Sequence, residues 1–296
     1  MTVVIAGGTG FLGQKLVRRL SDDGHHVVVL SRRQGGSNTL TWQPDGSPGN
    51  LPQHLAGVDA VVNLAGAGIA DRRWSPSRKA VLRSSRTLAT RTLARAIAAC
   101  ERPPRVFVSA SAVGYYGPRG DEPVTEATPP GVDFFATLAI EWEQEAQAAA
   151  TTRTRVAIIR TGLVLSSDGG VLGKMLLPFK IGVGGVLGSG EQYMSWVHED
   201  DWTAMVTWLM RDERASGAFN VTAPTPVTNR EFTSALGRAL RRPTILPVPS
   251  FALRLALGEL SDALLTGQRV LPRHAEQLGF QFRHTTLDAA LASLNL

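Results

Sequence analysis

At 296 residues with 43% hydrophobic side chains, the chain is long enough for one large domain with a small appendage. Its net charge of +6 comes mostly from arginines scattered along the sequence, so no basic tract points to nucleic acid and small anions suffice as partners. The single cysteine, Cys100, excludes an internal disulfide, and no apolar run reaches the length of a membrane span. The expected setting is cytoplasmic, and the expected partner is a small-molecule substrate.

The first element is Val3-Val4-Ile5-Ala6-Gly7-Gly8-Thr9-Gly10-Phe11-Leu12-Gly13. It reads as a strand, a glycine turn and a helix from near Phe11, with Leu12, Leu16, Val17 and Leu20 on one face. Such a turn lets the backbone approach a pyrophosphate, and the helix start offers free N–H groups. Gly7, Thr9, Gly10, Phe11 and Leu12 are therefore expected cofactor contacts. His26 to Ser31 is an apolar strand ending in Ser31-Arg32-Arg33. An NAD site would place an acid there for the ribose 2′-hydroxyl. A hydroxyl and two guanidiniums predict NADP(H) instead, with Ser31 and Arg32 at the 2′-phosphate.

Asp59 to Leu64 is the next strand and runs into Asn63-Leu64-Ala65-Gly66-Ala67-Gly68. Asn63, Leu64, Ala65 and Gly66 are expected at the cofactor. A long helix from about Ser77 to Cys100 carries Arg86, placed to reach a ribose or phosphate, or else solvent. Arg105 to Ser109 is a strand, Phe134 to Ala150 a helix and Arg155 to Leu165 a strand. Ser109, Arg160, Thr161 and Gly162 fall at strand ends on the cofactor side. Strands alternating with helices predict an α/β fold, a Rossmann-type doubly wound parallel sheet with ligand beyond its carboxyl ends.

Gly182 to Gly190 is glycine-rich and is expected to be mobile or to face substrate. His198 is expected to bond Asp201, and no His/Cys/Asp spacing predicts a metal site. Thr228-x-x-Glu231 predicts a capping box for a helix to about Leu240. Pro243 to Pro249 is a proline-punctuated link. The expected division is 1–220 for dinucleotide binding, with a substrate-side loop near 166–195, and 221–296 for a small, mostly helical domain on the substrate side.

Several motifs coincide along the whole chain: the glycine turn, Asn63-Leu64-Ala65-Gly66, and the strand Val106 to Ser111 followed by Tyr115-Tyr116-Gly117. Asp133-Phe134-Phe135, Trp142-Glu143 and Trp196-Val197-His198-Glu199-Asp200-Asp201 join them. Together they resemble the extended short-chain dehydrogenase/reductase superfamily, and more narrowly its atypical branch of epimerase family proteins. The resemblance implies redox chemistry with NADP(H) and permits a homodimer. It usually implies a Ser, a Tyr and a Lys four residues after the Tyr, on one helix face. The helix from Phe134 to Ala150 holds no Tyr and no Lys. Three readings stay open. Ser111 works with Tyr115 or Tyr116, or an acid such as Glu141 or Asp133 moves the proton, or the chain is a non-catalytic NADPH-binding or redox-sensing protein. The expected function is an NADP(H)-dependent oxidoreductase or epimerase acting on an unknown small carbonyl or alcohol.

Overall fold

The computed structural model describes residues 1–296. β1 (Thr2–Ala6) turns into α1 (Phe11–Asp22), followed by β2 (His26–Ser31), β3 (Thr39–Thr41), the short α2 (Leu51–Leu55) and β4 (Ala60–Asn63). The long α3 (Pro76–Ala98) leads to β5 (Val106–Ala112), and the two-residue β6 (Pro123–Val124) precedes α4 (Phe134–Gln147) and β7 (Arg155–Thr161). β8 (Leu163–Leu165), α5 (Gly170–Lys180), β9 (Tyr193–Met194), β10 (Trp196–His198), α6 (Glu199–Arg211) and β11 (Gly217–Val221) follow. β12 (Val227–Thr228), α7 (Asn229–Leu240), α8 (Ser250–Leu257), α9 (Asp262–Leu265), β13 (Arg269–Val270), α10 (Arg273–Gln277) and α11 (Leu287–Ser293) complete the chain.

The central sheet runs β3-β2-β1-β4-β5-β7-β11, every pair parallel. Its strands are apolar on both sides because helices cover both faces. Leu16 and Leu20 of α1 pack with Trp202, Met205 and Leu209 of α6 on one face. Leu93 and Ile97 of α3 pack with Leu51, Leu55 and Ala146 on the other. The chain reverses direction across the sheet between β1 and β4, and a crevice opens there beyond the strand ends. The predicted capping box is present: Thr228 and Glu231 exchange hydrogen bonds at the start of α7. No helix is long and apolar enough to cross a membrane.

Two expectations change. The strand predicted from Arg155 to Leu165 is broken at Gly162. Gly162 donates to the Val221 carbonyl, and a Cβ there would stand 2.1 Å from the Ser195 oxygen. β8 then leaves the central sheet and pairs with β10. Gly162, expected at the cofactor, therefore serves a close backbone crossing and does not line the crevice. The Gly182–Gly190 segment does not hang free. Leu187 donates to the Asn229 side chain, and Val248 donates to the Val186 carbonyl, so the loop is pinned to the proline link.

Gly162→Ala should destabilise the fold by about 1–3 kcal/mol, because the new methyl has only backbone to displace. Urea unfolding followed by tryptophan emission measures it; a change below about 0.5 kcal/mol would show that the crossing is looser than described.

Candidate active site

The glycine turn is built for an anion. A Cβ at Gly13 would lie 2.1 Å from the Gly7 carbonyl oxygen, so α1 can start this close to β1 only with glycine at that position. Gly7 has φ +79°, and its missing side chain makes room for the Leu64–Ala65 backbone. The N-cap of α1 is Gly10, with no side-chain cap and no acid in the first turn. Its leading N–H groups and the helix dipole face the crevice uncompensated.

The crevice is a cleft of about 370 Å³. Gly7 and Gly10–Gly13 form one wall, and Leu64–Ile69 a second. Ala110, Ser111, Ala112 and Gly114 form the floor beyond β5. Phe135, Leu138, Ala139 and Trp142 contribute one face of α4 at helical spacing. That face, where the resemblance implies a Tyr and a Lys, is apolar. Arg86 is the one ionisable side chain in the lining; Ser111 and Thr161 are the hydroxyls. Lys15 of α1 bridges Asp168 and Glu199 at 2.8 and 2.6 Å, and Gly169 packs on the Phe11 ring. Lys174 of α5 donates to the Ala70 carbonyl at 2.8 Å, tying α5 to the loop just after the second wall.

Ser111 is 4% exposed, and its hydroxyl donates to Glu143 Oε1 at 2.6 Å. Glu143 takes two bonds from Arg160, Nε at 2.9 Å and Nη2 at 2.8 Å. Arg160 Nη1 donates to the Tyr116 hydroxyl at 2.9 Å, and Tyr116 donates to Asn220 Oδ1 at 2.6 Å. Asn220 donates to the Leu271 carbonyl, so the chain of bonds runs from the cleft floor to the C-terminal unit. Ser111 lies at the cleft end of this network; the other members do not line the cleft.

This arrangement corrects several expectations. Tyr116 is fully buried with its hydroxyl spent on Arg160 and Asn220, and burial pushes its pKa up to about 12 against the pull of Arg160. Tyr115 is half-buried with its ring 3.5 Å from the Arg160 guanidinium and outside the lining. Neither tyrosine is placed at the cleft. Arg160, expected at the cofactor, is a buried partner of Glu143. Asn63 is fully buried; it donates to Thr90 and accepts from the Ala65 N–H, shaping the second wall from behind. Ser109 is buried and outside the lining. Asp133 caps α4 by accepting from Ala136, and Glu141 pairs with Arg83.

Gly7, Gly10, Phe11, Leu12, Leu64, Ala65, Gly66, Arg86, Ser111 and Thr161 do line the cleft, and Thr9 stands exposed on the turn. Ser31 ends β2, whose Leu30 is in register with Ala6 of β1, and its hydroxyl accepts from the Arg33 N–H. Arg32 beside it is exposed. Glu143 entered the sequence reading only as part of the Trp142-Glu143 motif, without a role at the site. Its signal was an acid between Ala139 and Ala146 on the buried side of an apolar helix, matched by an arginine inside the apolar strand β7.

His198 does not bond Asp201. It caps α6, accepting from the Asp200 N–H, while Asp201 accepts the Arg283 and His284 N–H groups. His198, Asp200 and His284 gather side-chain donors within 4.8 Å. The two imidazoles stack at 3.8 Å with 29° between planes, and both His198 nitrogens have protein partners, Nδ1 the Asp200 N–H and Nε2 the Ser293 hydroxyl.

The profile of the NAD dependent epimerase/dehydratase family matches residues 3–222, and that of a domain of unknown function, DUF1731, matches residues 248–294. Epimerase family protein Mb2239 of Mycobacterium bovis is 44% identical over 291 residues, covering 98% of this chain and 96% of that protein. Epimerase family protein SAR0825 of Staphylococcus aureus is 39% identical over 298 residues, covering 98% of each. The crystal structure of human epimerase family protein SDR39U1 (isoform 2) with NADPH is similar with a TM-score of 0.93 and 36% identity, covering 100% of this chain and 99% of that one.

Arg160→Met should cost about 3–5 kcal/mol of stability by stranding Glu143, and Glu143→Leu added to it should recover most of the loss. Urea unfolding of both variants checks this. Tyr116 holds its proton in the folded state to about pH 12, whereas the ordinary phenol value is 10.0, so stability should fall as pH rises from 10 to 12. Tyr116→Phe should flatten that fall in the unfolding free energy.

Proposed function

The chain belongs to the NAD dependent epimerase/dehydratase family, and from that premise we propose an NADP(H)-dependent oxidoreductase or epimerase-like protein acting on a small carbonyl or alcohol at Ser111. One observation carries the reading: the Ser111 hydroxyl lies on the floor of the cleft that the glycine turn opens, oriented by Glu143 at 2.6 Å.

The residues fit the dinucleotide. The cradle leaves no room for a side chain at Gly7 or Gly13, and the bare N-terminus of α1 suits a pyrophosphate. Ser31 and exposed Arg32, with no acid at the end of β2, suit a 2′-phosphate. The similar human protein was crystallised with NADPH. When bound, the dinucleotide supplies hydride chemistry at its nicotinamide ring.

The chain's own part is orientation. Because the Ser111 proton points at Glu143, the Oγ lone pairs are left to accept a bond from a substrate hydroxyl. Turned about its Cβ–Oγ bond, the same hydroxyl donates to a carbonyl oxygen. Arg160 holds Glu143 in place and so fixes Ser111. Phe135, Leu138 and Ala139 shield this end of the cleft from water.

A second reading has its own support. The α4 face is apolar, and the lining holds no acid, histidine or tyrosine, which favours a protein that binds NADPH and turns it over little or not at all.

A panel of carbonyl compounds followed by loss of NADPH absorbance separates the two. The enzyme reading expects oxidation that drops about 100-fold in Ser111→Ala. Tight NADPH binding with no oxidation across the panel supports the second reading. Arg32→Ala should cut the preference for NADPH over NADH by about tenfold or more, the worth of a charged hydrogen bond; an unchanged ratio would remove Arg32 from the 2′-phosphate.

A further inference from the structure

We propose that a second cavity, at the opposite end of the sheet from the cleft, binds an oligophosphate chain through Arg105, Arg153, Arg155 and Arg211.

The strands bring these residues together. Asp59 and Arg105 stand just before β4 and β5, and Arg155 opens β7. The Arg105 N–H donates to the Asp59 carbonyl and the Arg155 N–H to the Arg105 carbonyl, so the three strands start side by side. The cleft lies beyond the carboxyl ends of the sheet; this cavity lies at the amino ends and shares no residue with it. Its volume is about 490 Å³, and Arg211 at the end of α6 closes one side.

Its charge is unbalanced. Four guanidiniums line it with two carboxylates, Asp59 and Glu213, and no ion pair joins the two sets. Asp59 accepts the Thr2 N–H at 2.7 Å, and the neighbouring Asp212 is held by Arg214. Arg153 donates to the Glu101 carbonyl at 2.8 Å. Arg155 donates to the Ala215 and Met210 carbonyls at 2.8 and 3.1 Å, which fixes its guanidinium and caps the negative end of α6. Arg211 meets His25 Nε2 at 2.8 Å. Burial, then the charges of the Met1 ammonium and Arg211, hold His25 below the usual imidazole value, the response of a titrating group to uncompensated positive charge.

The lining also selects the ligand. Guanidiniums present parallel N–H donors that match phosphoryl oxygens. No aromatic ring is present to stack a base, and Met1 and Met210 are the only apolar side chains. Several cations around one cavity call for an anion of several charges, hence linked phosphoryl groups.

Free oligophosphate and the phosphate tail of a nucleotide carry the same chemistry. Calorimetric titration at about 0.15 M salt, with tripolyphosphate, ATP, sulfate and hexaglutamate as probes, separates them. Wild type should bind tripolyphosphate with a Kd below about 1 mM and melt at a higher temperature in its presence. Arg105→Ser with Arg153→Ser should weaken it at least about tenfold, the worth of lost charged hydrogen bonds. Asp59→Asn keeps the acceptor for Thr2, removes a repelling charge and should tighten binding severalfold, so the test survives if the double variant fails to fold. ATP within threefold of tripolyphosphate makes a nucleotide tail the source, and ATP tenfold weaker makes it the free chain; either supports the site. Three results overturn it: no binding by wild type, affinity within twofold of wild type in the double variant, or sulfate or hexaglutamate binding as tightly as tripolyphosphate.

Discussion

The buried pair of Glu143 and Arg160 is the constraint that organises the site. A carboxylate and a guanidinium this far from water are tolerable only when each satisfies the other and their remaining bonds find partners. Here the partners are Ser111 from β5, Tyr116 from the turn after it and Asn220 from β11. Helix α4, two central strands and the edge strand must therefore come together in one register. The position of the serine on the cleft floor follows from this charge pair, and Asn220 carries the same network on to the Leu271 carbonyl.

Much of this was legible in the residues. Thr228 and Glu231 announced their cap, and Gly7 to Gly13 announced a turn tight enough for a phosphate, because both depend on short-range chemistry. The parts that were not legible depend on distant partners. Arg160 at the end of an apolar strand looks available to a ligand until Glu143, 17 residues earlier and on another element, is seen to claim it. Tyr116 follows a catalytic-looking serine closely, yet the turn between them sends it away from the cleft and into Asn220. Gly162 carries the look of a ligand loop and answers to the Ser195 backbone. In each case the residue type was read correctly and its partner was not.

The family places this chain among proteins of nicotinamide chemistry, and the glycine cradle agrees with that placement. The α4 face brings no ionisable group to the cleft. Phe135 and Ala139 stand on the cleft side of that helix, leaving Ser111 and Thr161 as the lining's hydroxyls and Arg86 as its charge. In the proposed function, affinity for a dinucleotide and reactivity toward a substrate come from different parts of the molecule: the former from the glycine cradle and the helix start beside it, the latter from one serine held from behind.

That separation bears on where protons can go. Hydride chemistry moves a proton with each hydride, and most sites keep a side chain that stores it between molecules. In this cleft the serine hydroxyl faces a carboxylate already committed to two guanidinium bonds, so the lining keeps no proton in reserve. Such a cavity works best as a template. In the proposed function it suits transformations in which the migrating proton stays on the substrate or arrives with a water molecule, the protein's contribution being to hold two reactants in line.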